Sequence, residues 1–241
     1  MEQDVKFSIV IPARDEERYI GKCLESIGEA SKSYPNQVEI IVVINRCTDR
    51  TEEIARAHNA MIVRNDSKCL SKIRNAGARE ARGEILITID ADSTMSPNML
   101  VEVDRLLSAG KYIGGGVRII PERMSLGILV SLILILYPLV LLYRVSGGLF
   151  WCYRKDFFAV DGFDESIVSV EDVDFALRLK AYGKKQGKRF KKITKAYIQT
   201  SCRKFDKFGD WFIFRNPKLV LKLLQGKNQK DADVFYYNIE R

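Results

Sequence analysis

Short apolar runs alternate with amphipathic stretches along the first half of the chain. Each run is rich in β-branched residues and stops at polar residues, which is typical of a buried strand. Between the runs, apolar side chains recur three and four positions apart, which predicts helices. The pattern predicts strands over residues 7–12, 39–44, 60–63 and 84–89, and helices over 16–31, 51–59, 72–81 and 97–109. Strands and helices that alternate at these lengths indicate an α/β fold with a mainly parallel sheet.

The second half of the chain continues this pattern less regularly. It predicts strands over 112–120, 147–153 and 188–201, a helix over 169–183, and a basic amphipathic tail over 204–241. Three consecutive glycines in the first of these strands indicate a bulge or a close approach of another backbone. Gly83 is expected to end the 72–81 helix as its C-cap.

Composition narrows the class of protein. A chain of 241 residues can bury one sizeable core, so we expect a single domain over 1–241. The net charge of +8 favours anionic partners, which include nucleic acid, phosphorylated ligands and an acidic membrane face. The 5 cysteines form no CxxC pair, which argues against a zinc site or a disulfide framework and favours a reducing cytosol. The first residues lack a signal-peptide pattern.

Two aspartates, Asp90 and Asp92, end the strand predicted over 84–89. The carboxyl ends of parallel strands are where open α/β sheets bind their ligands. Two neighbouring carboxylates repel each other unless a cation lies between them, and hard oxygen ligands suit Mg²⁺ or Mn²⁺. The alternative is a pair of solvated turn or N-cap acids, because Ser93 and Pro97 precede a predicted helix.

Six motifs together resemble the family 2 glycosyltransferases. They are Ser8-Ile-Val-Ile-Pro-Ala-Arg-Asp-Glu-Glu17, Thr48-Asp-Arg-Thr51, Arg74-Asn-Ala-Gly77, Ile89-Asp-Ala-Asp92, Gly162-Phe-Asp-Glu165 and Glu171-Asp172. The resemblance extends from about residue 7 to residue 203 and implies the GT-A fold, a Rossmann-like sheet flanked by helices. It implies a nucleotide-sugar donor bound by residues 1–110 and an acceptor half over 111–203.

The resemblance also implies which residues bind the donor. Asp92 would ligate Mg²⁺ or Mn²⁺, and Asp90 would lie near the donor ribose or reach the ion through water. The other donor-binding residues that it implies are Pro12, Ala13, Arg14, Glu16, Asn45, Lys72, Arg74, Ala91 and Arg203. Lys72 and Arg74 would neutralise the phosphates, although a solvated basic face is the ordinary alternative.

The chain departs from the family pattern in two places. Asn45 follows Ile44 where many members have an acidic pair that contacts the base, so the identity of the base stays open. The single histidine, His58, lies in a predicted helix where a surface or packing role is expected. The third metal ligand is therefore left to water or to the diphosphate.

On the acceptor side, the resemblance makes Asp172, next to Glu171, the general base of an inverting reaction. Residues 169–172 also fit a capping box at a helix start, which is the structural alternative. Gly147 and Gly148 are expected to let the backbone approach the sugar or the acceptor. Trp151 either stacks on a sugar face or belongs to the core.

Residues 126–143 form an uncharged apolar run that, if helical, is long enough to cross a bilayer, which takes roughly 17–25 residues. A single span would place Asp92 and Asp172 on opposite sides of the membrane, although one site needs both. An interfacial hairpin, a core element and a dimer surface remain open, and the basic-aromatic tail favours membrane contact. The expected protein lies in the cytoplasm, peripherally associated with the inner face of the cell membrane, and serves the synthesis of a cell-envelope glycan.

The leading interpretation is transfer of a sugar from a nucleoside-diphosphate sugar to a lipid-linked or glycan acceptor, with no nucleic-acid partner and with a homodimer left open. A polyprenyl phosphate is the alternative acceptor, and such a reaction needs no base because the phosphate is already anionic. The positive charge also allows a nucleic-acid-binding protein, but the sequence contains no recognisable nucleic-acid-binding motif. A catalytically silent membrane scaffold with the same fold is the third alternative.

Overall fold

One mixed sheet forms the centre of the molecule. The structure, a computed structural model, describes residues 4–136, 148–167 and 170–216. The strands are β1 Phe7–Ala13, β2 Val38–Ile44, β3 Met61–Arg64, β4 Ile85–Ile89, β5 Ser93–Met95, β6 Tyr112–Pro121, β7 Leu149–Tyr153 and β8 Arg189–Thr200. Their order in the sheet is β3-β2-β1-β4-β7-β6-β8-β5. β1 to β4 are parallel, β7 runs antiparallel to β4 and β6, and β5 is antiparallel at one edge, which confirms a mainly parallel α/β sheet.

Helices cover both faces of this sheet. They are α1 Ile20–Ser31, α2 Thr51–Ala57, α3 Leu70–Glu80, α4 Met99–Ser108, α5 Leu126–Ser131, α6 Arg154–Ala159, α7 Glu171–Lys185, α8 Arg203–Phe208 and α9 Phe212–Arg215. The predicted helices and strands of the described residues are present with shifted ends. The sequence pattern did not predict β5 and α6, which are only 3 and 6 residues long.

The alternation of side chains along β1 divides the core into two layers. Phe7, Ile9 and Ile11 pack on one face with the apolar side of α1 and α4. Val10 points to the other face, where α3 and α7 cover the sheet. Because successive side chains of a strand point to opposite faces, a strand that is apolar throughout requires helices on both sides.

Gly83 does not cap the helix before it, which corrects one expectation. The C-cap of α3 is Ala81, in an extended conformation. Gly83 instead lies against β1, where its N–H donates a hydrogen bond of 2.7 Å to Ser8 Oγ. A Cβ atom at residue 83 would come within 2.7 Å of the backbone of Phe7 and Ser8, so only glycine fits there.

The predicted capping box at 169–172 begins at Ser169, which lies outside the described residues. The N-cap of α7 is Val170, which has a left-handed backbone (φ 57°) and makes no side-chain capping bond. A β-branched residue with positive φ is strained, and the strain costs of order 1–3 kcal/mol. The side chains of Glu171 and Asp172, the first two residues of α7, both contact Arg74 of α3.

Three loops converge where β1, β2 and β4 end. These strands are parallel neighbours, so residues 14–17, 45–50 and 90–92 leave the sheet at the same edge. The Asn45 N–H donates to Ala13 O at 2.9 Å and ties the first two loops together at their bases. This edge is where the sequence pattern predicts ligand binding.

The apolar insertion begins as a helix. Residues 126–131 form α5 and residues 132–136 continue as a π-helical turn, whereas 137–143 lie outside the described residues. Leu126, Ile133 and Leu134 are 68%, 54% and 62% exposed. Of the helices in the described part of the chain, none has the length and apolar character that a bilayer crossing requires. The tail is described as far as residue 216 and contains α8 and α9.

Candidate active site

A single buried guanidinium brings together three carboxylates from distant parts of the chain. Arg74 Nη1 donates to Glu171 Oε1 and to Asp172 Oδ1, each at 2.8 Å, and Arg74 Nη2 donates to Asp90 Oδ1 at 2.8 Å. The Arg74 side chain is only 5% exposed, and its guanidinium lies 5.2 Å from the centre of the Phe163 ring. α3, the end of β4 and the start of α7 therefore meet at this one side chain.

The electrostatics of this cluster follow from burial and from charge excess. Burial and the neighbouring Asp172 charge raise the pKa of Glu171 to about 7, against the lowering effect of Arg74. Burial also raises the pKa of Asp172, although Arg74 and a hydrogen bond from the Gly148 backbone oppose the rise. Burial alone would lower the pKa of Arg74, but the three carboxylates raise it, so the guanidinium stays charged. Asp172 keeps 28% of its side chain exposed and is thus open to a substrate.

Asp92 belongs to a second cluster beside the first. Its Oδ2 accepts a hydrogen bond from Ser201 Oγ at 3.0 Å and an ion pair from Arg203 Nη2 at 2.9 Å. Arg203 also binds both carboxylate oxygens of Glu16, at 2.6 and 2.8 Å. The guanidinium of Arg203 lies 5.3 Å from the centre of the Tyr19 ring. Residues from the first loop, from the end of β4 and from the start of α8 form this cluster.

The donor set of the two clusters fits a divalent cation. Asp90, Asp92, Glu16, Glu171 and Asp172 carry five carboxylates against the two guanidiniums of Arg74 and Arg203, a formal excess of three negative charges. Within the described residues, no hydrogen bond or ion pair reaches Asp90 Oδ2 or Asp92 Oδ1. Two hard oxygen atoms in a negatively charged site suit Mg²⁺ or Mn²⁺.

Another group of possible ligands, Asp15, Cys47 and Asp49, has its ligating atoms within 4.8 Å of one another. Asp15 Oδ1 accepts from the Thr48 N–H at 2.7 Å, and Asp49 accepts from the N–H and hydroxyl of Thr51. Burial raises the pKa of the Cys47 thiol, so it stays protonated and is a poor ligand for a hard ion. These side chains hold the first two loops in shape.

Asn45 performs a structural task in the described structure, and its predicted place among the donor-binding residues stays a prediction. It is 1% exposed. Its amide donates to Asn65 O at 2.6 Å and to Ser67 O at 2.9 Å, and its Oδ1 accepts from Arg46 Nη2 at 3.3 Å. The side chain thus joins the second loop to the loop after β3 and leaves no donor for a nucleobase.

The remaining predicted donor residues are distributed around the same edge. Pro12 and Ala13 belong to the end of β1, Arg14 follows them, and Ala91 is 2% exposed between the two aspartates. Lys72 lies two residues before Arg74 on α3 but is exposed, whereas Arg74 is buried among carboxylates. Binding of a donor by these residues stays a prediction.

On the acceptor side, Gly148 lies close to the predicted base. Its backbone hydrogen-bonds to Asp172, and it has a positive φ of 81°. A Cβ atom there would come within 2.9 Å of Ile119 and Ile198, so glycine is required. Gly147 lies outside the described residues.

Trp151 belongs to the core, which decides between its two predicted roles. It is 0% exposed, and its indole Nε1 donates to Gly116 O at 3.0 Å. A ring that packs in the sheet core on this central strand does not stack on a sugar, because no face of it is open. His58 also has a packing role, since its Nδ1 lies 2.9 Å from Ile54 O on the same helix.

Two residues have positioning roles that their sequence motifs did not indicate. Asn75 Nδ2 donates to Phe163 O at 2.8 Å and its Oδ1 accepts from the Phe163 N–H at 3.0 Å, which holds the 162–165 turn against α3. Ser201 orients Asp92 through its hydroxyl. Asn75 was detectable from its place next to Arg74, but nothing in the sequence pairs Ser201 with an aspartate 109 positions away.

Sequence comparison finds relatives among glycosyltransferases. The chain is 27% identical over 233 residues to the dolichyl N-acetyl-α-D-glucosaminyl phosphate 3-β-D-2,3-diacetamido-2,3-dideoxy-β-D-glucuronosyltransferase of Methanococcus voltae, covering 83% of the chain and 69% of that protein. It is 27% identical over 121 residues to glycosyltransferase GlyA of Streptococcus pneumoniae, which is 45% of the chain and 17% of the relative. It is 29% identical over 116 residues to dodecaprenyl-phosphate galacturonate synthase of Rhizobium johnstonii, covering 43% of the chain and 34% of the relative. The chain therefore matches less than two thirds of the length of several relatives.

Structural comparison finds the same architecture. Staphylococcus aureus TarS in complex with UDP-GlcNAc superposes with a TM-score of 0.66 at 20% identity, over 83% of this chain and 59% of that one. The mannosyltransferase PcManGT of Pyrobaculum calidifontis, in complex with GDP-Man and Mn²⁺, gives 0.63 at 18% identity, over 82% and 57%. Glucosyl-3-phosphoglycerate synthase of Mycobacterium tuberculosis, with Mn²⁺ and UDP, gives 0.58 at 20% identity, over 93% and 81%. At these identities the likeness concerns the fold, which is GT-A.

The family profile described as Glycosyl transferase family 2 matches residues 8–142, more than half of the chain. The match includes the first two loops, Arg74 and both aspartates of the β4 end. The chain belongs to glycosyl transferase family 2.

Proposed function

We propose that this chain is an inverting glycosyltransferase that moves a sugar from a nucleoside-diphosphate sugar to an acceptor hydroxyl. The observation that carries the proposal is the contact of Arg74 with both Asp90 and Asp172, at 2.8 Å each. Asp90 ends a strand on the donor side, and Asp172 begins the helix that follows the acceptor-side turn. One guanidinium thus holds a donor-side carboxylate and a candidate base close enough to serve one reaction.

The proposed step is a direct displacement at the anomeric carbon. The Asp172 carboxylate accepts the proton of the acceptor hydroxyl, and the acceptor oxygen forms a bond to the anomeric carbon. The bond between that carbon and the diphosphate oxygen breaks, and its electron pair leaves with the nucleoside diphosphate. Attack from the face opposite the leaving group inverts the configuration.

The environment of Asp172 suits a general base. Burial raises its pKa, which makes it a stronger base than an ordinary aspartate. Arg74 and the Gly148 backbone stabilise the ionised form and so limit the rise. Glu171 is more deeply buried, at 8% exposure of its side chain, and is better suited to hold Arg74 in place than to meet a substrate.

Asp92, with Asp90 beside it, is the proposed holder of Mg²⁺ or Mn²⁺. When bound, such an ion supplies positive charge that stabilises the leaving diphosphate. Support comes from the hard oxygens and the charge excess of the site, and from the Mn²⁺ in the structures of PcManGT and of the Mycobacterium tuberculosis synthase. Pro12, Ala13, Arg14, Ala91 and Lys72 remain the proposed contacts of the nucleotide.

The proposed acceptor is lipid-linked, and the protein works at the inner face of the cell membrane. Relatives are named for transfer to a dolichyl-linked sugar phosphate and for dodecaprenyl-phosphate galacturonate synthesis. Exposed apolar side chains on the 126–136 insertion, with Trp211 and Phe214 in the basic tail, favour contact with lipid. The product then belongs to a cell-envelope glycan.

A polyprenyl phosphate is the second candidate acceptor, favoured by the name of the Rhizobium relative. The two candidates differ in their need for a base, because a phosphate oxygen is already anionic and a hydroxyl is not. Replacement of Asp172 therefore separates them, as described in the Discussion.

A ligand screen by thermal shift tests the proposal. UDP, GDP, CDP and dTDP are added with and without Mn²⁺ to the wild type, to Asp92→Ala and to Glu25→Ala, whose carboxylate is exposed on the outer side of α1. We expect one nucleotide to raise the Tm only with Mn²⁺, in the wild type and in Glu25→Ala but not in Asp92→Ala. An equal response of Asp92→Ala and wild type would show that the cation does not bind at Asp92.

A further inference from the structure

The Arg203 guanidinium lies beside the Asp92 carboxylate, which is proposed to bind the ion. Its Nη2 lies 2.9 Å from Asp92 Oδ2, and the same guanidinium forms two bonds to Glu16. Only 15% of the Arg203 side chain is exposed, and Glu16 and Asp92 are 4% and 13% exposed. The three groups therefore form a largely dehydrated ion cluster in which charge interactions are strong.

The Arg203 guanidinium and a divalent cation compete for the Asp92 carboxylate. Two positive groups within about 4 Å of one another repel strongly in a largely dehydrated site, and the ion carries two charges. A cation that binds Asp92 thus has to overcome Arg203 or replace it. The arginine neutralises Asp92 until another cation arrives.

Within the described residues, the cluster offers the ion carboxylates but no histidine. The single histidine of the chain, His58, follows α2 as its C-cap, where its Nδ1 contacts Ile54 O. The oxygens of a nucleoside diphosphate can complete the coordination of the ion and also accept hydrogen bonds from a released guanidinium.

Arg203 can make this exchange without movement of its helix. It is the first residue of α8, which is held to the segment before α5 by the ion pairs of Arg123 with Asp206 and Asp210, at 2.5 and 2.8 Å. Tyr19 lies under the guanidinium and offers a surface to which the side chain stays attached while its partners change. The exchange therefore requires only a rotation of the Arg203 side chain, while α8 keeps its position.

We propose that Arg203 is an internal counter-ion that blocks the cation site until the diphosphate of the donor draws it away. The cation and the nucleoside diphosphate then bind with positive coupling, because each removes an obstacle for the other. This inference rests on the proposed function, since it assumes a cation on Asp92. Its consequence is that the cation binds weakly alone and well with the donor.

Mn²⁺ titration followed by electron paramagnetic resonance tests this inference without any measurement of activity. The free Mn²⁺ signal gives the Kd with and without UDP or GDP. The wild type should bind Mn²⁺ at least about tenfold more tightly with its nucleotide than alone, within the usual range of coupling. Arg203→Met should bind Mn²⁺ alone about fivefold to tenfold more tightly than the wild type and lose most of the coupling.

Two variants serve as matched controls. Arg203→Lys keeps the charge and should keep Mn²⁺ binding weak in the absence of nucleotide. Arg105→Met removes an exposed arginine that pairs with Glu102 on its own helix, and it should behave as the wild type. Circular dichroism melts confirm that each variant is folded.

The outcomes separate this inference from the proposed function. If Arg203→Met binds Mn²⁺ alone no more tightly than the wild type, while Asp92→Asn loses binding, the counter-ion role is wrong and the metal site stands. If Asp92→Asn binds Mn²⁺ as the wild type does, the proposed metal site is wrong, and the counter-ion role of Arg203 is wrong with it. If removal of the cation by EDTA left nucleotide binding unchanged, the proposed coupling between cation and nucleotide would be wrong.

Discussion

Arg74 and Asp172 are 98 positions apart in the sequence, and their side chains meet at 2.8 Å inside the molecule. Arg74 is on a helix of the donor side and Asp172 begins a helix of the acceptor side, so this contact joins the two halves of the proposed site. Glu171 and Asp90 bind the same guanidinium.

Removal of the Arg74 charge should destabilise the protein strongly. In Arg74→Met the carboxylates of Glu171, Asp172 and Asp90 lose their buried partner, and loss of one member of a buried pair costs about 3–5 kcal/mol. Urea denaturation measures this loss. Arg105→Met, at an exposed ion pair, should change the free energy of unfolding far less. Equal effects of the two substitutions would show that the buried Arg74 cluster contributes no more to the free energy of unfolding than an exposed ion pair.

Asp172→Asn should abolish most turnover while donor binding persists. Loss of a general base lowers kcat by about 10²-fold to 10⁴-fold, and Asn keeps the shape of the side chain. The measurement is the initial rate with a hydroxyl acceptor, together with the thermal shift caused by the nucleotide. Asp174→Asn, at a partly exposed ion pair with Arg178, is the control and should leave the rate close to wild type.

The same variant separates the two candidate acceptors. A polyprenyl phosphate needs no base, so appreciable turnover of Asp172→Asn with a polyprenyl phosphate, and none with a hydroxyl acceptor, would favour the second candidate. Comparable loss with both acceptors would contradict the base role, because a phosphate acceptor has no proton for Asp172 to remove.

Glu171 should make folding stability depend on pH in a specific direction. Its pKa is raised from 4.5 to about 7 in the folded protein. Between these values the folded state binds more protons than the unfolded state, so the free energy of unfolding should fall as pH rises from about 4.5 to 7. Urea denaturation at pH 5, 6, 7 and 8 should show this decline in the wild type and a flatter curve in Glu171→Gln. A constant difference between the two proteins over this range would contradict the assignment.

Trp151→Phe should affect stability and leave acceptor binding unchanged. The substitution removes the hydrogen bond to Gly116 O and part of a fully buried ring, which costs about 1–3 kcal/mol. Urea denaturation gives the stability, and the KM for the acceptor gives the binding. A large rise in KM with unchanged stability would restore the sugar-stacking role.

The exposed apolar residues of the insertion should attach the protein to lipid vesicles. Leu126→Gln with Leu134→Gln replaces two side chains that are 68% and 62% exposed, so the fold should tolerate both. In a flotation assay with vesicles of phosphatidylglycerol and phosphatidylcholine, the wild type should float and the double variant should not. Met61→Gln, at an exposed apolar residue of β3 on the far edge of the sheet, is the control. Flotation of the double variant at the wild-type level would contradict membrane docking through this surface.

The sequence predicted every strand of the sheet except the three-residue β5, because each of the longer strands carries its own signal. β1 and β4 are buried on both faces, and their continuous apolar runs show this without knowledge of their neighbours. Similarly, α1 repeats apolar residues at helical spacing, with Ile20, Leu24 and Ile27 all buried. Such properties are local and can be read from a short window.

Side-chain partners could not be predicted in the same way, because they depend on contacts between distant segments. Arg74 was expected to face phosphates, but in the described structure its neighbours are carboxylates, two of which come from a helix almost a hundred positions later. Asn45 was placed among the donor-binding residues, but in the described structure its amide donates to two backbone oxygens of the loop after β3. The positive φ of Val170 could not be predicted from the sequence either, because a β-branched residue is the least expected choice for that conformation.

Arg74 and Asn75 are consecutive residues of one helix, and they hold two different parts of the second half of the chain. Arg74 binds the Glu171 and Asp172 carboxylates, whereas Asn75 binds the backbone of Phe163. A hybrid that joined the first half of this chain to the second half of a relative would need matching groups at both docking points. Recombination between family members is therefore constrained by two neighbouring side chains of α3 more than by the sheet, whose strands pair through their backbones and tolerate exchange.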